Sequence, residues 1–121
     1  MKTILTVDDS ASIRQMVNIT LSAAGYAVVE AGNGAEGLGK LGSAGTISMV
    51  VTDLNMPVMD GLTFIRELRK LPAGKGIPIL FLTTESDAGI KQQAKEAGAT
   101  GWITKPFQRE QLVAVVKKVL G

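Results

Sequence analysis

At 121 residues the chain is long enough for one packed core and too short for two ordinary domains, and 45% hydrophobic with 20% charged residues is a globular rather than a disordered balance. With no cysteine and no histidine, disulfides, thiolate metal sites, cysteine nucleophiles and imidazole acid–base chemistry are excluded, and any metal must be a hard cation on oxygen ligands. The net charge of +2, with no basic block longer than Lys117-Lys118, gives nucleic-acid binding no support, and no apolar run suits a signal peptide or a membrane span, so a soluble cytoplasmic protein without membrane or nucleic-acid partners is expected.

In chain order, Ile4 to Val7 reads as a short buried strand ended by Asp8 and Asp9. Ile13, Met16, Val17, Thr20, Leu21 and Ala24 then recur at helical spacing, with Ser10 or Ser12 as the cap and Gly25 just past the end. Tyr26 to Ala31 is a second strand. Asn33 and Glu36 have the spacing of a capping box for a second helix, which Gly34, Gly37, Gly39 and Gly42 weaken. Ser48 to Thr52 is the third strand, ended by Asp53. Asp60 caps a third helix carrying Leu62, Phe64, Ile65 and Leu68, and Pro72 to Pro78 is a loop. Ile79 to Leu82 is apolar throughout, as a strand buried on both faces would be. A fourth helix carries Ile90, Ala94 and Ala97 and ends at Gly98. Trp102-Ile103 is a short fifth strand, and Leu112, Val115, Val116 and Val119 mark a fifth helix. Strand–helix alternation of this kind predicts a parallel sheet covered on both faces.

All strand ends of such a sheet point one way, so Asp8, Asp9, Asp53, Thr83 and Lys105 are expected at one edge. Three carboxylates in close company repel unless a cation binds or one is protonated. An all-oxygen donor set suits Mg²⁺, which binds phosphate oxygens well. Lys105 adds a positive charge and Thr83 a hydroxyl, making an anion site beside the metal. With no other nucleophile to assemble, a phosphoryl group is expected to land on Asp53 as an acyl phosphate. Singly these features are ordinary: an Asp pair caps helices, and a Lys before Pro is a solvated residue. Their coincidence at strand ends carries the reading.

Four segments sharpen it: VDDS at Val7 to Ser10, TDLNMPVMDG at Thr52 to Gly61, LTTE at Leu82 to Glu85 and KPF at Lys105 to Phe107. In this order and at these spacings, over Lys2 to Leu120, they resemble the receiver domain of two-component response regulators, one domain spanning residues 1–121. The resemblance implies a flavodoxin-like, doubly wound α/β fold with a five-stranded parallel sheet in the order 2-1-3-4-5 and five helices. It implies that Asp53 is the phosphoacceptor, that Asp8, Asp9, Asp53 and the backbone carbonyl of Asn55 hold Mg²⁺, and that Thr83 is the switch hydroxyl. Lys105 would pair with the phosphoryl group, and the Lys105-Pro106 peptide would be cis. A sensor histidine kinase would be the donor, so the chain is a signalling phosphoacceptor rather than an enzyme.

Within the family the chain is most similar to the stand-alone chemotaxis regulators. Asn55 and Glu85 match that type at the two positions that tune loss of the phosphoryl group. Trp102 departs from the usual Tyr, and both inward rotation and fixed packing are open to it. Thr84 is bulkier than the small residue often found there. The implied output is the face of the fourth helix, fifth strand and fifth helix, acting on a flagellar motor switch protein or another output protein, with a phosphatase as a further partner and a monomer as the working state. The alternatives are a shuttle receiver in a phosphorelay, an aspartyl-phosphate phosphohydrolase and a flavodoxin-like binding module. Asn55 stands where the hydrolase would need its acid, and the acidic DDS segment would repel a bound phosphate in the binding module.

Overall fold

The computed structural model describes residues 2–43 and 45–120, so both ends of the expected 1–121 domain lie outside the described residues. Five parallel strands, β1 (Thr3–Val7), β2 (Ala27–Ala31), β3 (Met49–Thr52), β4 (Ile79–Thr83) and β5 (Gly101–Thr104), form one sheet in the order β2-β1-β3-β4-β5. The helices are α1 (Ala11–Ala23), α2 (Gly34–Ser43), α3 (Gly61–Lys70), α4 (Ala88–Glu96) and α5 (Arg109–Leu120). The fold class and strand order expected from the sequence are those observed.

Side-chain parity along the strands divides the core in two. Leu5, Val50, Ile79 and Phe81 face one side, where they pack with Leu41, Phe64, Ile65, Leu68 and Ala94 from α2, α3 and α4. Ile4, Met49, Val51, Leu80 and Leu82 face the other, against Val17 and Leu21 of α1 and Leu112 and Val116 of α5. Alternation across the sheet produces this split, and helices on both faces are why the central strands are apolar at successive positions.

Local signals mostly act as read. Ser10, not Ser12, caps α1, its hydroxyl accepting from the Ile13 N–H at 3.3 Å. Asp60 caps α3 through the Thr63 N–H at 2.8 Å. Asn33 accepts from the Glu36 N–H at 2.9 Å, while the Glu36 carboxylate reaches back to Gly32, one residue before the cap. β3 begins at Met49 rather than Ser48, β2 at Ala27 rather than Tyr26, and Pro72–Gly74 forms a short 3-10 turn within the predicted loop. The α4 cap, which the sequence reading left unassigned, is Asp87, accepting from the Ile90 N–H.

The glycines of α2 are not equivalent. A Cβ at Gly37 would lie 3.0 Å from the Phe64 ring and 3.1 Å from Val7, whereas Gly39 and Gly42 have open space. Gly37 lets α2 lie close to the sheet; the other two only lower helix propensity. Gly39→Ala and Gly42→Ala are each expected to raise unfolding free energy by about 1 kcal/mol in urea titrations. Gly37→Ala, which overpacks the core, should lower it by about 1–2 kcal/mol.

Candidate functional site

The site lies where the parallel ladder runs one hydrogen bond beyond its strands. The Asp8 N–H donates to Ala31 O at 3.1 Å, the Asp53 N–H to Val7 O at 2.9 Å and the Lys105 N–H to Thr83 O at 2.8 Å. These bonds hold Asp8, Asp53 and Lys105 at one end of the sheet. The approach of α3 completes the support: a Cβ at Gly61 would overlap the Asp53 carbonyl oxygen and lie 2.7 Å from the Phe81 ring, so only glycine lets this helix start beneath the Asp53 backbone.

Asp8 and Asp53 are buried, with 3% and 9% of their surface exposed, while Asp9 is exposed. One carboxylate oxygen from each of the three lies within 4.8 Å of the others. The Lys105 ammonium donates to Asp8 Oδ2 at 2.8 Å and reaches Asp53 Oδ2 at 3.5 Å. The shorter of the two contacts is with Asp8. Each carboxylate also accepts a backbone N–H: Asp8 Oδ1 from Ser10 at 2.9 Å, and Asp53 Oδ1 from Leu54 at 2.7 Å. Burial raises the Asp8 carboxyl above its ordinary value of 3.8, against the opposing Lys105 hydrogen bond. The donors are carboxylate oxygens alone, and the charge is in excess, so the cluster fits a hard divalent cation.

Thr83, Glu85 and Trp102 form a second group. The fully buried Thr83 hydroxyl accepts from the Glu85 N–H at 3.2 Å. The Glu85 carbonyl accepts from the Trp102 indole N–H at 3.1 Å. The Glu85 carboxylate accepts from the Ser86 and Asp87 N–H groups, both at 3.1 Å, and so closes its own loop. Trp102 is half-buried, tilted against Phe81 at a centroid distance of 5.5 Å, with Lys91 Nζ 5.7 Å from its ring centre. Of the two roles open to Trp102, the arrangement here is packed and hydrogen-bonded. Thr84 and Asn55 are exposed on their loops. The Lys105-Pro106 peptide is cis.

Beside Asp53 the chain carries a feature that sequence reading did not single out. The Met59 N–H donates to Pro57 O at 2.8 Å, closing a three-residue turn over Val58, which has φ 72° and is 82% exposed. A β-branched residue is strained there. No sequence signal marks it, because turn propensity would place Asn or Gly at that position.

A five-stranded parallel sheet with three carboxylates and a lysine at its C-terminal edge is the architecture of a signal receiver. The response regulator receiver domain family matches residues 4–117, and the chain belongs to that family as a CheY-like phosphoacceptor of two-component signalling. Chemotaxis protein CheY1 of Helicobacter pylori is 38% identical over 119 residues, 98% of this chain and 96% of that protein. The solved structure of Vibrio cholerae chemotaxis protein CheY4 is 46% identical with a TM-score of 0.94, covering 99% of each chain. The receiver domain of a Pseudomonas aeruginosa sensor histidine kinase, solved with a magnesium ion coordinated in its active-site cleft, is 26% identical with a TM-score of 0.90, covering 99% of this chain and 98% of that one. Among the described residues no helix is long and apolar enough to cross a membrane.

Two outcomes follow from the geometry. Asp8 has a raised native value, so between the two values the folded protein binds more protons than the unfolded chain, and this group's contribution to stability falls as pH rises through that window. In EDTA, Asp8→Asn is therefore expected to be more stable than the wild type at pH 7, with the gap narrowing as pH falls towards 4; urea midpoints at several pH values check it. Val58→Gly should gain about 1 kcal/mol in the same assay, because glycine takes a positive φ without a Cβ clash.

Proposed function

We propose that Asp53 receives the phosphoryl group, and that Asp8, Asp9 and Asp53 hold Mg²⁺ when it is bound, with the Asn55 backbone carbonyl as a further ligand. The observation that carries this is the cluster itself: three carboxylates within 4.8 Å, two of them buried, backed by the single ammonium of Lys105. The magnesium held in the cleft of the related kinase receiver supports the choice of ion. Bound Mg²⁺ supplies charge neutralisation for the phosphoryl oxygens.

The residues divide the work. A carboxylate oxygen of Asp53 forms a bond to phosphorus as the donor's phosphorus–nitrogen bond breaks. Leu54 N–H already holds the other end of the carboxylate through Asp53 Oδ1. Lys105, shared between Asp8 and Asp53, is in place to hold a phosphoryl oxygen once the Asp53 charge has moved outwards. The Thr83 hydroxyl accepts from Glu85 and retains a proton to donate, so turning towards a phosphoryl group costs it that bond. Asn55 and Glu85 tune loss of the phosphoryl group. The Glu85 carboxylate, engaged with Ser86 and Asp87, acts there after leaving its loop.

The donor is a sensor histidine kinase, and the output is the face of α4, β5 and α5, where Trp102 and Lys91 sit. A chemotaxis regulator acting on the flagellar motor is favoured over a phosphorelay shuttle, with the 46% identity and TM-score of 0.94 to the Vibrio cholerae chemotaxis protein as its support. Partner binding obeys population-shift arithmetic: a motor protein favours the phosphorylated conformation only by its difference in affinity for the two.

The test is incubation with acetyl phosphate and Mg²⁺, read by intact mass. One phosphoryl group is expected on the wild type and none on Asp53→Asn or in EDTA, with Trp102 fluorescence changing in parallel. Wild-type protein that gains no mass under these conditions overturns the reading.

A further inference from the structure

Arg14, in the first turns of α1, is not among the residues that the phosphoacceptor reading uses. Its Nη1 donates to the Asp8 carbonyl oxygen at 2.6 Å. Its Nε donates to Glu30 Oε1 on β2 at 3.3 Å, and the other Glu30 oxygen accepts from Asn18 Nδ2 at 2.9 Å. Asn18 Oδ1 in turn accepts from the Ser22 hydroxyl at 2.8 Å. The Arg14 and Glu30 side chains are 21% and 35% exposed, so the pair is partly shielded from solvent.

The carbonyl that Arg14 holds belongs to the peptide joining Asp8 to Asp9. The Asp8 N–H is fixed on the other side by Ala31 O at 3.1 Å. Asp8 is thus held through both of its flanking peptides, and the one that Arg14 holds directs the backbone that carries Asp9, the exposed member of the carboxylate cluster. We propose that Arg14, clamped by Glu30, is a positioning residue that presents Asp8 and Asp9 to the cation; this rests on the metal-assisted phosphoacceptor reading above. A planar guanidinium bridges a carbonyl and a carboxylate at once, which an ammonium on a flexible stem does not reproduce.

Charge and position predict opposite signs. A positive charge beside a cation site repels the cation. If Arg14 acted by charge alone, Arg14→Met would tighten Mg²⁺ binding and Arg14→Lys would leave it unchanged. As a positioning residue, both substitutions weaken it, by about tenfold, the scale typical of groups that orient metal ligands.

Calorimetric titration of the full chain with MgCl₂ is the direct measurement. Mg²⁺-dependent labelling by acetyl phosphate should show the same shift in half-saturating Mg²⁺, with the rate at saturating Mg²⁺ within about twofold of wild type. Glu30→Gln, which keeps Arg14 but loosens its clamp, should lose affinity in the same direction by less, and serves if the Arg14 variants do not fold. Folded variants that bind Mg²⁺ as tightly as a competent wild type, or more tightly, overturn the inference alone. A wild type that neither binds Mg²⁺ nor accepts a phosphoryl group overturns the phosphoacceptor reading and this inference with it.

Discussion

Asp8 and Asp53 are two buried carboxylates that share one ammonium, Lys105, with Asp9 close enough to add its charge. Carboxylates this close repel one another, most strongly between the two buried ones, because water screens the exposed Asp9. Lys105 at 2.8 Å from Asp8 offsets part of this, but three carboxylates and one ammonium leave the cluster short of positive charge. Burial acts in the same direction by disfavouring the Asp8 anion. The folded chain is thereby poised for a divalent cation and for a group whose oxygens that cation can hold. The stored repulsion is why the site has a function to perform, and why removing a carboxylate charge is expected to relieve the fold.

The sheet makes this arrangement possible. Parallel strands end on the same side, and the ladder bonds from Asp8, Asp53 and Lys105 to the neighbouring strands set the three residues in register. The apolar parity behind them, with Phe81 and Phe64 on one face and Leu82 and Val51 on the other, leaves the backbone little freedom to relax away from the repulsion. Gly61 tightens the site further by letting α3 begin against the Asp53 carbonyl.

Glu85 connects the site with the face of α4 and β5 proposed as the output surface. Its N–H, carbonyl and carboxylate are all engaged, with Thr83, Trp102 and the start of α4 respectively. A movement of Thr83 therefore disturbs the loop that the indole holds. An indole N–H donates to a carbonyl as a phenol does, so Trp at position 102 keeps a hydrogen-bonded tie to this loop although it lacks a hydroxyl. Lys91 over the ring extends the tie to α4.

By itself the sequence determined the class of fold and narrowed the candidate reacting side chains. Hydrophobic runs separated by helical periodicity specify a parallel α/β sheet, and the absence of histidine and cysteine leaves carboxylates as the chemistry. Caps at Asn33 and Asp60 were legible because capping depends on neighbours three residues away, and the α1 cap was narrowed to Ser10 or Ser12. What needed the tertiary structure are relations between distant segments: the stronger hold of Lys105 on Asp8 than on Asp53, Glu85 joining Thr83 to Trp102, Gly37 pressed against Phe64 while Gly39 is free, and Arg14 reaching from α1 to Glu30 on β2. Side-chain direction and strand register decide these contacts, and both are set by packing across the whole sheet, not by any local run of residues.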